Sequence, residues 1–115
     1  MKKIEQPKDL TDALRILNKQ YEDKEDLDSF KSLKDSSAVH FTFGMWLRNN
    51  WGLWKEETPI VTWFKLTYGI KHADDISGII LDTWHRQLNK LEPRVEKLVS
   101  QYKAHWAANG GTEYV

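Results

Sequence analysis

Ile76, Ile79, Ile80, Thr83, Trp84, Gln87 and Leu88 recur at steps of three and four residues. That spacing gathers their side chains on one face of an α-helix and would scatter them over both faces of a strand. An apolar stripe this long must be covered, so the helix running from Asp74 to Asn89 is expected to lie against several neighbours. Asp74 or Asp75 can cap its start, and both suit the positive end of the helix dipole. Gly78 interrupts the stripe at a cost of about 1 kcal/mol relative to alanine. A glycine there permits close packing of a neighbouring backbone or a bulky ring, with tryptophan the natural candidate.

The rest of the chain carries the same period. Leu10, Ala13, Leu14 and Leu17 predict a helix over 10–20 capped by Asp9 or Thr11, and Leu27, Phe30 and Leu33 predict another over 26–34. Asp35, Ser36 and Ser37 offer caps for a central helix over 38–50, which Gly52 is placed to end. Thr58 as cap, Pro59 at the first helical position and Gly69 after the last turn bracket a further helix. Ile60, Trp63, Phe64, Leu66 and Tyr68 give it a broad apolar surface. Glu92 and Pro93 open a last helix lined by Val95, Leu98, Val99, Tyr102 and Trp106, closed by Asn109, Gly110 and Gly111. No stretch alternates for long enough to make a half-buried strand. The fold class expected is all-α, a compact bundle of five or six helices forming one domain over 1–115. Residues 1–8 and 110–115 are expected to be loose.

Composition narrows the function classes. With 40% hydrophobic and 30% charged residues the chain is globular in type. Its 17 basic and 17 acidic side chains are spread evenly, so no region is basic enough for generic nucleic-acid binding. The absence of cysteine removes disulfides, thiolate zinc sites and cysteine nucleophiles. No apolar run reaches membrane-spanning length and no apolar stretch follows the first lysines, so a cytoplasmic protein without a membrane partner is expected.

The segment from His40 to Trp54 holds three of the six tryptophans beside Arg48, Asn49 and Asn50. Helical spacing can place His40, Gly44, Arg48 and Trp51 side by side. On a functional reading Arg48 forks onto a carboxylate or phosphate while Trp51 or Trp54 stacks on a planar group. On a structural reading Arg48 pairs with Asp74 or Asp75, and the asparagines satisfy loop backbone groups. Trp46, Trp63 and Trp84 are expected to form a core cluster where the central helix crosses the Asp74–Asn89 helix. For Trp51 and Trp54, interior and contact surface are both open. His40, His72, His85 and His105 lack helical zinc spacing, so no metal site is expected. His72, His85, Asp74 and Asp75 are the one crowded titratable group, and no serine-nucleophile, phosphate-loop or dinucleotide motif is present.

The run His40-Phe-Thr-Phe-Gly-Met-Trp-Leu-Arg-Asn-Asn-Trp-Gly-Leu-Trp54, continued by Gly69-Ile70-Lys-His72-Ala-Asp74-Asp75-Ile-Ser77-Gly78-Ile79-Ile80-Leu81, resembles the shared pattern of an uncharacterised family of small bacterial and phage proteins, a domain of unknown function. The resemblance covers Val39 to Leu88. It implies a bacterial or bacteriophage setting and supplies no reaction, ligand or cofactor.

The expectation drawn from these features is a non-enzymatic module that binds a partner protein, in one form a phage or mobile-element inhibitor of a bacterial enzyme or defence system. The alternative is a binder or sponge for a small anionic, nucleotide-like molecule, and a small hydrolase stands third. The candidate binding residues are His40, Arg48, Asn49, Asn50, Trp51, Trp54, His72, Asp74, Asp75 and His85. No catalytic residue, metal ligand or cofactor is assigned.

Overall fold

The computed structural model describes residues 4–21 and 24–110. Among them are six α-helices, one short 3₁₀ helix and no strand. The bundle is all-α, as the helical periodicity requires. The helices are α1 Leu10–Gln20, α2 Lys24–Lys31, α3 Phe43–Asn50, α4 Pro59–Tyr68, α5 Ala73–Leu88 and α6 Val95–Ala108. The 3₁₀ helix is Ser36–Val39.

α5 runs through the middle. Eleven of its sixteen residues are buried, including Ile76, Ile79, Ile80 and Trp84, so it is enclosed on more than the one face its apolar stripe predicts. α1, α2, the 3₁₀ helix, α3 and α6 all pack on it. α1 brings Leu10, Ala13, Ile16 and Leu17 to the interior, with Leu14 half-buried beside them. α4 brings Ile60, Val61 and Phe64, while Leu66, read as part of that surface, is 81% exposed.

Helix ends follow the local chemistry in most places. The Asp9 carboxylate accepts from the Asp12 N–H at 2.8 Å and caps α1. At the end of α3, Gly52 takes φ +63° and the Leu53 N–H reaches back to the Arg48 carbonyl at 3.1 Å, the bond of a Schellman turn. Pro59 begins α4 and Gly69, at φ +69°, ends it. Thr58 departs from its expected role: its hydroxyl donates to the Gly52 and Lys55 carbonyls, at 2.6 and 3.1 Å, and so closes the preceding loop. The cap of α5 is His72, whose Nδ1 accepts from the Asp74 N–H at 3.2 Å. Neither Asp74 nor Asp75 serves there, because the histidine two residues before Asp74 already occupies that bond.

The expected central helix over 38–50 is broken. Asp35 caps the 3₁₀ helix by accepting from the Ser37 N–H, a turn follows over 40–42, and α3 begins only at Phe43. The His40 carbonyl, which a continuous helix would give to residue 44, accepts instead from Arg48 Nη2 at 3.0 Å. A side chain from the next turns thus takes the bond that would have carried the helix through.

The aromatic core is also arranged differently. Trp84 is sealed, donates to Asn18 at 2.8 Å and stacks on Phe30, with ring centres 4.7 Å apart. Tyr21 and Phe43 complete its surroundings. Trp46 lies one ring away, against Phe43 and Trp51. Trp63 packs edge-on to Phe64 and Tyr68. Trp46 and Trp84 are thus joined through Phe43 rather than in direct ring contact, and Trp63 packs with the aromatic residues of its own helix.

Candidate functional site

Arg48 is the structural centre of the sequence-predicted residues. It is 1% exposed. Nη1 donates to the Ser77 hydroxyl at 2.8 Å, Nη2 donates to the His40 carbonyl, and Nε lies 3.4 Å from Asp74 Oδ1, an ion-pair distance without hydrogen-bond alignment. The guanidinium folds back over its own helix because Gly44 leaves room: a Cβ there would meet Nη1 at 2.9 Å. Arg48 thereby ties the 40–42 turn and α3 to the first turns of α5. A buried guanidinium whose donors face three internal acceptors offers no fork to an outside phosphate or carboxylate.

The two tryptophans at the end of α3 part company. Trp51 is fully buried, whereas Trp54 is 57% exposed. The left-handed turn at Gly52 sends the chain in a new direction between them. Trp54 Nε1 donates to the Asn49 side-chain oxygen at 3.1 Å, which fixes the indole against the exposed side of α3. The Asn50 amide donates to the Trp46 carbonyl at 2.9 Å, and its own carbonyl accepts from Gln6. Asn50 is thus engaged with local backbone.

Exposed apolar side chains cluster on this outer side. Phe41, in the turn before α3, is 81% exposed, and Met45, in the first turn of α3, 40%. Asn49 follows at the next turn with Trp54 attached. Residues four apart share a helix face, so Met45 and Asn49 lie together on the outward side of α3 with Trp54 bonded to the amide, while Phe41 stands in the turn before the helix, edge-on to His40. Phe41 and Met45 were not among the sequence-predicted residues, because helical spacing alone assigned their neighbours to a packed helix.

His72, Asp74 and Asp75 meet α6. The Trp106 indole lies 4.9 Å from the His72 ring and donates to Asp75 at 2.9 Å. His40, Asp74, Asp75, Tyr102, His105 and Trp106 line an open groove of about 580 Å³. A smaller hollow of about 260 Å³ continues past His40 and Tyr102 to the Asp82–Arg94 ion pair. Arg94 holds Asp82 through two bonds, at 2.6 and 3.0 Å, and that carboxylate raises the arginine further above its ordinary value. Burial pushes the Tyr102 phenol up to about 12, helped by the charges of Asp75 and Asp82. The ring sits over Gly78, where a Cβ would collide with the phenol oxygen. The bulky neighbour of Gly78 is therefore a tyrosine from α6, not a tryptophan. Tyr102, Arg94 and Trp106 are site-lining residues that the sequence motif did not include.

His85 belongs elsewhere. It is buried near the far end of α5, with Nε2 2.9 Å from the Leu33 carbonyl and its ring edge-on to Phe30. Thirteen helical steps from His72 amount to about 20 Å, so His72, His85 and the aspartates do not assemble. A pocket joining His40, Arg48, Asn49 and Trp51 is likewise not formed, since Arg48 and Trp51 are packed shut. Among the described residues no group of three or more His, Asp or Glu is placed to hold a metal ion. No described helix is long and apolar enough to cross a membrane.

The model of one family, described as a domain of unknown function (DUF6794), matches residues 6–88, and the chain belongs to that family. The matched range takes in α1 to α5 and therefore Arg48 with all its described partners. No curated protein and no solved structure matches the chain.

Proposed function

For this member of a family without an assigned role, we propose that the chain is a non-enzymatic module that binds a partner protein through the outward side of the 41–54 segment. The observation that carries the reading is the exposure of Phe41, Met45 and Trp54 on one short stretch whose base is locked by Arg48. Aromatic anchors held on a rigid support are what dominate binding hot spots. They also lose little conformational freedom on docking, and the Trp54–Asn49 bond has already fixed one of them. The setting we propose is bacterial or bacteriophage, with a bacterial enzyme or defence protein as the partner to be held.

A nucleotide-like ligand is the less favoured reading. The groove beside His40 presents Asp74 and Asp75 to an incoming anion, and Arg48 is committed internally. A hydrolase is less favoured again, because His85 is remote from the aspartates.

The test compares the parent with Phe41→Ser/Trp54→Ala as bait in bacterial lysate, with circular dichroism as a control on folding. The expected result is one stoichiometric protein retained by the parent and lost from the equally folded double variant. Retention of the same protein by both baits, or of none by the parent, overturns the reading.

A further inference from the structure

A third hollow shares no lining residue with the α5–α6 groove and none with the exposed Phe41, Met45 and Trp54. Tyr21, Phe30, Leu33, Val39, Phe43 and Trp84 line an open hollow of about 360 Å³. Of the rings, Tyr21 ends α1, while the other three come from α2, α3 and α5. The ring centres stand 4.7–6.3 Å apart at varied tilts. Trp84 spends its N–H on Asn18 and lies with Phe30 at the buried base of the hollow, so the half-buried rings of Tyr21 and Phe43 present its aromatic surface. Leu33 adds an aliphatic side. Asp26, from the first turn of α2, is the one carboxylate among the described lining residues. Burial raises the Tyr21 phenol, the Gln20 side chain opposes this, and the Asp26 charge adds to the rise. The carboxylate is therefore felt at the ring.

We propose that this hollow binds a small, flat aromatic molecule carrying an amine. The volume stands at the lower end of ordinary ligand pockets and suits a bicyclic ring. The half-buried rings of Tyr21 and Phe43 supply the aromatic contacts, and a cation beside them gains from both the rings and Asp26. An anionic aromatic fits the same walls and meets the wrong charge. This site is independent of the partner-binding surface, since none of Phe41, Met45, Asn49 or Trp54 lines it.

The test is a titration of ¹⁵N-labelled protein with tryptamine, indole and indole-3-acetate, following the Trp84 indole N–H signal. Tryptamine is expected to saturate with a Kd on the order of 1 mM or tighter, the scale set by ligand efficiency for so small a molecule. Indole should bind about threefold to fivefold more weakly, as befits one exposed charge pair, and indole-3-acetate weakest of all. Asp26→Asn should erase the preference for tryptamine over indole while leaving indole unchanged. Leu33→Trp should fill the space and abolish binding of all three. Val39→Phe serves the same purpose should Leu33→Trp fail to fold. Absence of saturation, an unchanged response in the filled variant, or signal shifts that follow protein concentration because a second copy enters the hollow would each overturn the proposal.

Discussion

Gly78→Ala isolates a single atomic contact. In a helix interior the change from glycine to alanine is worth about 1 kcal/mol in favour of folding. Here the new methyl would run into the Tyr102 phenol oxygen, which the half-buried ring of α6 holds against α5. A phenol tip cannot swing away as a lysine tip can, so the ring or the helix must shift, at the roughly 1–3 kcal/mol typical of overpacking. The parent background should therefore show a net loss of up to about 2 kcal/mol. Tyr102→Phe removes the oxygen and leaves Cζ, 3.4 Å from the added methyl, an ordinary contact. In that background Gly78→Ala should stabilise by up to about 1 kcal/mol. The coupling is read from urea unfolding of the four proteins as a double-mutant cycle, with roughly 4 °C in Tm per kcal/mol as a cross-check. Equal stabilisation in both backgrounds would refute the reasoning, because it would mean that Tyr102 does not sit over Gly78.

Tyr102 also carries a pH signature. Its phenol is raised to about 12 in the folded chain against about 10 when unfolded. Both states are protonated below pH 10, and above it only the unfolded state ionises freely. The contribution is thus fully present below pH 10 and lost as pH rises from 10 to 12. Tyrosine absorbance should show one group titrating late, and Tyr102→Phe should flatten that part of the stability profile. Trp84→Ala should cost about 3–5 kcal/mol through lost burial and a cavity beside Phe30, and a Tm within a degree or two of the parent would contradict the assigned core. Lys90 sits at φ +58° just past the end of α5, where the Leu91 N–H closes onto the Arg86 carbonyl at 2.9 Å. Glycine is the residue suited to that position, so Lys90→Gly should raise stability by roughly 0.5–1 kcal/mol in thermal denaturation.

What the sequence made legible was mostly local. Asp9, Pro59 and Gly69 act within one turn of themselves, and the structure uses them as their chemistry dictates. Gly78 announced a close approach, but the identity of the visitor depended on how α6 lies across α5, which no spacing within α5 contains. The same limit explains Arg48. Its pairing with Asp74 was one of two readings, and only the fold shows that the side chain curls over Gly44 and breaks the helix at His40. Trp51 and Trp54 differ by three positions and have opposite fates, because the turn at Gly52 lies between them. His72 and His85 stand at opposite ends of α5, and the rise of the helix keeps them apart.

The arrangement around α5 has a dynamic consequence. α1, α2, the 3₁₀ helix, α3 and α6 meet chiefly on that one helix, so the contact map is a star. In a star an outer arm lifts at the cost of its contact with the centre and the few ring contacts it shares with its neighbours, whereas loosening the centre releases every arm at once. Amide exchange should follow that shape. The inner turns of α5, from Ile79 to Trp84, should exchange only through global unfolding. Each outer helix should open at its own lower cost, with α2 among the earliest, since among its described side chains only Phe30 lies fully in the interior.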